Sequence, residues 1–403
     1  MKKNTKKISK IIAPVALTAG CLATLPATSC GMHSSVKHIA PYLHEITYDD
    51  YTYDKDFVTT ESAEAFGCSS VRNGNFYGRN FDYVFNDTPE FVVRVKANKK
   101  KNRHASIGIA THFGLRESKL LKGEYKKQLE LVPNITLDGI NDAGVICSHN
   151  VVSMEPGEIG EGTNPGAEKL HMLFIPRFVL DNASSAQDAV DKLATRNIVG
   201  NLSGSHYLHI MIADAKETHV VEFFDTDHDG KFNVVDQIKD KGHEIMTNYY
   251  VNNNGDFDNY KKLGDERYEI LKANYSMGSS FSGMETLMKK VMYSNAYRFN
   301  HDTDKMRGND GQKTELNLSS EWYSESIDYD HLYDPTFDPS DPTVVDKYNR
   351  LKQDYWNSRL LDYRNPPEPK FWQTTHNSTY DMENKHLRVV VQEQYEVYYD
   401  YYL

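Results

Sequence analysis

The chain has 403 residues, 39% of them hydrophobic, enough for one large or two ordinary domains with a sizeable core. Its formal charge of −11 becomes −16 once residues 1–30, with five lysines and no acid, are set aside, which argues against a nucleic-acid partner. Mean hydropathy is −0.65 and no long apolar run follows the leader, so no membrane span is expected in the body of the chain.

Lys2, Lys3, Lys6, Lys7 and Lys10 precede an apolar stretch from Ile11 to Leu25 and then small residues. That is the pattern of a secretory signal, so residues 1–30 are read as a signal peptide and the protein as exported: periplasmic, extracellular or held at the cell surface. Cys21 and Cys30 each stand where a lipoprotein signal could end, but neither has Leu three residues earlier. A lipid anchor at Cys30 and ordinary cleavage near Ala27 both stay open. Cys68 and Cys147 remain, too few for a disulfide scaffold, and both are expected as free thiols. Residues 31–67 are acidic with little apolar periodicity and read as a prosegment.

Phe66 to Tyr83 organises the rest. It reads as a strand carrying Cys68, a turn at Asn73-Gly74, and a return strand bringing Arg79 and Asp82 back toward the cysteine. If the Gly67–Cys68 bond is cut, Cys68 gains an α-amine whose ordinary pKa of about 7.7–8.0 lets it accept the thiol proton near neutrality and return one to a leaving amine. A cation at Arg79 favours the thiolate, and Asp82 can hold the ammonium. Taken alone, the hairpin is more simply read as a core cysteine with a surface i,i+3 ion pair.

Cys68-Ser69-Ser70-Val71 followed by Gly78-Arg79-Asn80-Phe81-Asp82-Tyr83 resembles the opening of the choloylglycine hydrolase family. These N-terminal-nucleophile hydrolases include bile-salt hydrolases and penicillin V acylases, with acid ceramidase and N-acylethanolamine amidase as relatives. Ser69 stands where Thr is usual. The resemblance implies a four-layer αββα sandwich of two antiparallel sheets; the element pattern by itself says only α+β. It also implies a catalytic domain over residues 68–403, self-cleavage before Cys68, and hydrolysis of linear carbon–nitrogen amides without a cofactor.

Farther along, Phe91–Val95 and Ala105–Ala110 read as strands. Asp138-Gly139 and Ala143-Gly144 punctuate turns before an apolar strand from Val145 to Val152. The resemblance assigns Asn150, near that strand's end, to the oxyanion, although one residue fewer separates it from the glycine than in the family. His149 and Cys147 read as ordinary strand residues. Glu168–Val179 and Ser185–Ala194 have helical spacing, with Ser185 an N-cap. Tyr207–Asp214 and Thr218–Phe224 form a hairpin like the family's Leu-His-x-x-x-x-Asp and Val-Val-Glu strands.

Asp225, Asp227, Asp229 and Asp236 fall at positions one, three, five and twelve of a calcium-loop pattern. Strands flank it and position twelve lacks the usual Glu, so an Asp/Gly-rich turn is the simpler reading and no metal is expected. Asn248, in Ile245-Met246-Thr247-Asn248-Tyr249, matches the family's second oxyanion asparagine. Helices are expected at Gly264–Leu271 and Gly283–Met292, the methionines of the second packing a core. Arg298, in Ser294-Asn295-Ala296-Tyr297-Arg298-Phe299, is the choice for the arginine that completes the family's site, with Arg267 its rival. Residues 301–368 read as a long acidic insertion with a short helix around Val344 to Leu361. A last strand pair surrounds the Asp381–Lys385 turn.

The expected enzyme is an amidase with catalytic Cys68, Arg79, Asp82, Asn150, Asn248 and Arg298, acting on a small-molecule amide such as a conjugated bile salt, penicillin V or another N-acyl amide. An acyltransferase of the same fold and a non-enzymatic, calcium-dependent exported binding protein are the alternatives. Substrate and oligomeric state stay open, a homo-oligomer included.

Overall fold

The computed structural model describes residues 34–53, 68–85, 88–112, 115–123, 128–152, 164, 166–200, 207–223, 233–236, 243–251, 264–292, 371–391 and 397–403. The leader, Asp225 to Asp229, Arg298 and the insertion at 301–368 lie outside these residues.

A nine-stranded sheet runs in the spatial order β1 (Lys37–Ala40), β2 (Leu43–Tyr48), β5 (Glu90–Val95), β6 (Ser106–Thr111), β7 (Thr136–Asn141), β8 (Ile146–Val152), β11 (Tyr207–Ala213), β12 (Thr218–Glu222), β13 (Asn233–Asp236). A six-stranded sheet runs β14 (Glu244–Met246), β3 (Ser69–Asn73), β4 (Phe76–Phe85), β15 (Phe371–Asp381), β16 (His386–Val391), β17 (Tyr399–Tyr402). Within both sheets neighbours are antiparallel except for the β2–β5 pair; β9 (Lys169–His171) and β10 (Asn197–Val199) form a small parallel pair apart from them. Every residue of β8 and β12 is buried, as are residues 208–213 of β11, which is what strands covered on both faces show.

Helices α2 (Ile175–Asn182) and α3 (Ala186–Ala194) pack on the nine-stranded sheet, and α4 (Asp265–Ala273) and α5 (Phe281–Lys289) on the six-stranded one. Tyr77, Ile107, Ile140, Met211, Met246, Tyr380, Leu387 and Val389 meet in one core cluster drawn from both sheets. The order helix, sheet, sheet, helix is the αββα sandwich that the resemblance implied. Against the six-stranded sheet, Val71 and Ile245 meet Leu271, Met284, Leu287 and Met288, so the methionines are core residues. Gly78 makes this close approach workable: a Cβ there would sit 2.6 Å from Met288 Cγ.

Several local expectations need correction. The β3–β4 loop is Gly74-Asn75, with Asn73 paired to Phe76 and Gly74 at φ 61°, a left-handed value that glycine adopts without a Cβ penalty. Asp138-Gly139 is mid-strand in β7; a Cβ at Gly139 would lie 2.8 Å from the Ile107 carbonyl, so this glycine serves close strand packing. Residues 169–174 form β9 and a 3-10 turn, and α2 begins only at Ile175, because Pro176 lacks an N–H and fits a helix's first turn. Ser185 caps α3 as expected, its hydroxyl accepting from the Asp188 N–H at 3.1 Å.

The largest difference concerns the segment ahead of Cys68. β2 pairs with β5 in register from Leu43 opposite Glu90 to Tyr48 opposite Val95, and Leu43, Ile46 and Tyr48 are buried. Tyr53 donates to Asp181 on α2 at 2.6 Å, as does Tyr51 to the same oxygen. Residues 34–53 are part of the sandwich.

Candidate active site

Cys68 immediately precedes β3 and is 1% exposed, among Phe81, Tyr83, Cys147 and Leu208 of a second core cluster; both described cysteines are free. The antiparallel β3–β4 pairing sets Ser70 opposite Arg79 and Ser69 opposite Asn80, which brings the cysteine, Arg79 and Asp82 to one end of the hairpin. Burial pushes the Cys68 thiol up; Arg79 opposes this, Asp82 adds to it, and a backbone hydrogen bond from Asp82 with the Arg267 charge opposes it again. Burial prevails, and in the uncut chain the group is a neutral thiol. Asp82 also accepts from the Thr374 hydroxyl at 2.6 Å.

Arg79 is fully buried. Its guanidinium donates to Asp138 at 2.8 Å and to the His149 carbonyl at 2.7 Å, and it lies over the Phe81 ring, 5.0 Å from the centroid. Asp138 also accepts from His376 Nε2 at 2.9 Å and from the Tyr380 hydroxyl. His376 Nδ1 in turn sits 3.4 Å from Glu90. Glu90, His376, Asp138 and Arg79 thus form a row of alternating charge drawn from β5, β15, β7 and β4.

Burial alone would raise the Asp138 carboxyl, but Arg79, His376 and Tyr380 hold it well below the usual range. Burial alone would lower His376, yet Glu90 and Asp138 raise it, so it carries a proton. His149 is driven down to about 3, by burial first and by Arg79 next, and stays neutral. Burial likewise raises the Cys147 thiol. Neither residue offers acid–base chemistry near neutrality.

The Thr247–Val251 segment presents Asn248, and its anchoring explains the strand motifs. His209 on β11 lies opposite Glu222 on β12. His209 Nε2 bonds the Thr247 carbonyl at 2.8 Å, and Glu222 accepts from the Val251 N–H at 2.6 Å. Asn150 donates to the Met246 and Thr247 carbonyls, both at 3.1 Å, and its oxygen accepts from Ser70 at 3.3 Å. Both of its amide hydrogens are therefore directed at backbone carbonyls, which makes Asn150 a splint under Asn248. Asp214, the other residue of the β11 motif, caps structure: it accepts from the Ala186 N–H at 2.8 Å and from Lys216 at 2.7 Å.

Arg267, the rival to Arg298 in the sequence reading, lies against Cys68. From the first turns of α4 it donates to the Cys68 carbonyl, to Ser69 Oγ at 2.9 Å and to Asn248 Oδ1 at 2.5 Å. Asn248 donates in turn to the Val151 carbonyl at 2.6 Å. Cys68, Arg79, Asp82, Asn150, Asn248 and Arg267 therefore converge on one end of the two sheets; Arg298 lies outside the described residues. Asp138 and His376, which no spacing rule singled out, complete the support beneath Arg79. Of the calcium-like set, only Asp236 lies within the described residues, paired opposite His219 at the end of β13.

Residues 131–309 match the family model described as acyl-coenzyme A:6-aminopenicillanic acid acyl-transferase. The match bears out the resemblance drawn from the sequence; it includes Asp138, Asn150, Asn248 and both Arg267 and Arg298, and begins after Cys68. Among solved structures the chain is similar to conjugated bile acid hydrolase from Clostridium perfringens, at 16% identity, TM-score 0.40, over 84% of this chain and 92% of that one. It is also similar to penicillin V acylase from Agrobacterium tumefaciens, at 16% identity, TM-score 0.33, over 81% and 83%. No curated protein matches the chain.

Proposed function

We propose that the chain is an exported precursor that cuts itself before Cys68 and then hydrolyses linear carbon–nitrogen amides with that cysteine as N-terminal nucleophile. The observation that carries this reading is the convergence of Arg79, Asp82 and the Arg267–Asn248 pair on Cys68.

In the uncut chain the Cys68 nitrogen is an amide and the buried thiol is neutral. Cleavage turns that nitrogen into an amine that can take the thiol proton, while Arg79 stabilises the thiolate. The thiolate adds to the substrate carbonyl, and Asn248, its oxygen held by Arg267, is positioned to donate to the oxyanion. The protonated amine then gives its proton to the leaving nitrogen, and water releases the acid from the thioester. Asp82 steadies the ammonium. The substrate class suggested is an N-acyl amide such as a conjugated bile salt or penicillin V. Export rests on the lysine-rich leader.

A second reading, acyl transfer from the same thioester to an amine other than water, is favoured by the acyl-transferase description of the matching family model.

Intact mass after expression tests the core of the proposal. Wild type is expected to yield a chain beginning at Cys68, Cys68→Ser to process slowly and Cys68→Ala not at all. Processed protein is expected to release glycine or taurine from conjugated bile salts, or the side-chain acid from penicillin V. Added amine acceptors distinguish transfer from hydrolysis. Activity in a chain that stays uncut would overturn the mechanism.

A further inference from the structure

We propose that His38, His44 and Glu117 form a binding site for a zinc-type divalent transition-metal ion that clamps the segment ahead of Cys68 to the catalytic body. The site goes beyond the amidase reading and stands whether or not the chain is cut.

His38 on β1 and His44 on β2 are direct cross-strand partners. Their rings are 5.1 Å apart and tilted by 51°, so both project on one side of the hairpin without stacking flat. Glu117 comes from the body of the chain, as the first residue of the short helix α1 (Glu117–Leu120). His44 Nε2 lies 2.6 Å from one Glu117 oxygen and His38 Nδ1 lies 4.0 Å from the other. One ligand atom from each residue falls within 4.8 Å of the other two.

Two imidazoles and a carboxylate are a donor set that zinc accepts at about 2.0–2.2 Å, leaving a fourth position for water. Tetrahedral coordination at those lengths separates ligands by roughly 3.3 Å. The close His44–Glu117 pair therefore has to open slightly and the His38–Glu117 pair to close, both by side-chain rotation. His44 and Glu117 are buried, whereas the His38 side chain is 29% exposed, which gives an ion and its water a route in. The hard-oxygen sites preferred by calcium and magnesium look different, so those ions are not the expected occupants.

The surroundings orient the donors. The Tyr42 N–H donates to Glu117 Oε1 at 3.3 Å, and the His44 ring packs 5.6 Å from Phe91. Tyr42 itself is fully buried at φ 64°, a left-handed conformation uncommon for a bulky residue, at the reversal that sets His38 against His44.

The test uses the full chain, stripped with chelator, returned to chelator-free buffer and titrated with zinc chloride by calorimetry. One ion per chain is expected, with affinity reduced at least about tenfold in His38→Asn and in Glu117→Gln. His38 is partly exposed, so that variant is expected to keep the wild-type circular dichroism and melting curve. Crystals grown with zinc are expected to show an anomalous peak at the zinc edge between the three side chains. Absence of saturable uptake, wild-type affinity in either variant, or a peak only elsewhere would each leave a plain His44–Glu117 hydrogen bond and overturn the proposal.

Discussion

Arg267 donates to the carbonyl oxygen of Cys68, tying the helix on the outer face of the six-stranded sheet to the residue on which the chemistry is proposed to occur. The same guanidinium reaches Ser69 and Asn248, so one side chain fixes the backbone at Cys68 and the amide proposed to face the oxyanion. A lysine ammonium cannot span three acceptors in that fork geometry. Arg267→Lys is therefore expected to fold normally yet to lose about 10²-fold or more in amine release, read from initial rates on the best substrate. Arg298→Lys is expected to lose much less; the reverse ranking would assign the role to Arg298.

Asp138 is the second test. It bonds Arg79, His376 and Tyr380 with no exposure to solvent. Asp138→Asn keeps the shape but leaves two buried cations facing a neutral amide, and breaking such a pair from one side costs on the order of 3–5 kcal/mol. The urea unfolding midpoint should fall accordingly. An unchanged midpoint would mean that the row contributes little to folding.

These two arginines mark what could and could not be read from the chain. The Cys68–Asp82 hairpin is legible because a glycine between two strand-like runs is a local signal, although the loop is Gly74-Asn75 and not Asn73-Gly74, and a shared strand pair needs no other partner to bring its ends together. The buried charge row was not legible: its members stand at 79, 90, 138 and 376 and meet only because β4 and β15 stack over β5 and β7. The sequence left Arg298 and Arg267 as rivals, and the contact of Arg267 with Cys68 comes from the position of α4 at the ends of β3 and β14, which helical spacing cannot supply. A signal was present in His209 and Glu222, polar residues in otherwise apolar strands, whose task is to hold the Asn248 segment. The β1–β2 strands were missed because their core residues are spread among tyrosines, histidines and acids.

His376 gives the pH dependence. Burial lowers its basicity, but Glu90 and Asp138 more than compensate, so its folded pKa is raised. The associated stability is fully present below the unfolded value of about 6.5 and is lost as pH rises through the folded value. Wild-type unfolding free energy is expected to decline on the alkaline side of about pH 6.5, and His376→Gln should flatten that limb while lowering the maximum. The depressed Asp138 works on the opposite side, its contribution present above about pH 3.9 and lost only as pH falls toward its much lower folded value. Identical alkaline limbs in the two proteins would contradict a protonated His376.

Cleavage before Cys68 should leave two pieces that stay together. β2 lies between β1 and β5, so its removal would expose the β5 edge, and Leu43, Ile46 and Tyr48 would lose their packing. Each such apolar side chain contributes about 1.5–3 kcal/mol when buried, before the polar anchors are added. Those anchors include Tyr53 to Asp181 at 2.6 Å, Arg94 to Glu45 at 3.0 Å and Arg103 to Asp50 at 3.0 Å. Processed protein is expected to run as two bands under denaturing conditions and as one species by native mass, with the smaller piece released only in denaturant. Replacing Ile46 by Asp should break that association, because Ile46 is fully buried and a carboxylate at this position meets no partner in the apolar cluster of Phe91, Val93 and Leu129. A small fragment that separates from the wild-type protein on gel filtration would show instead that the catalytic body holds its edge without β2.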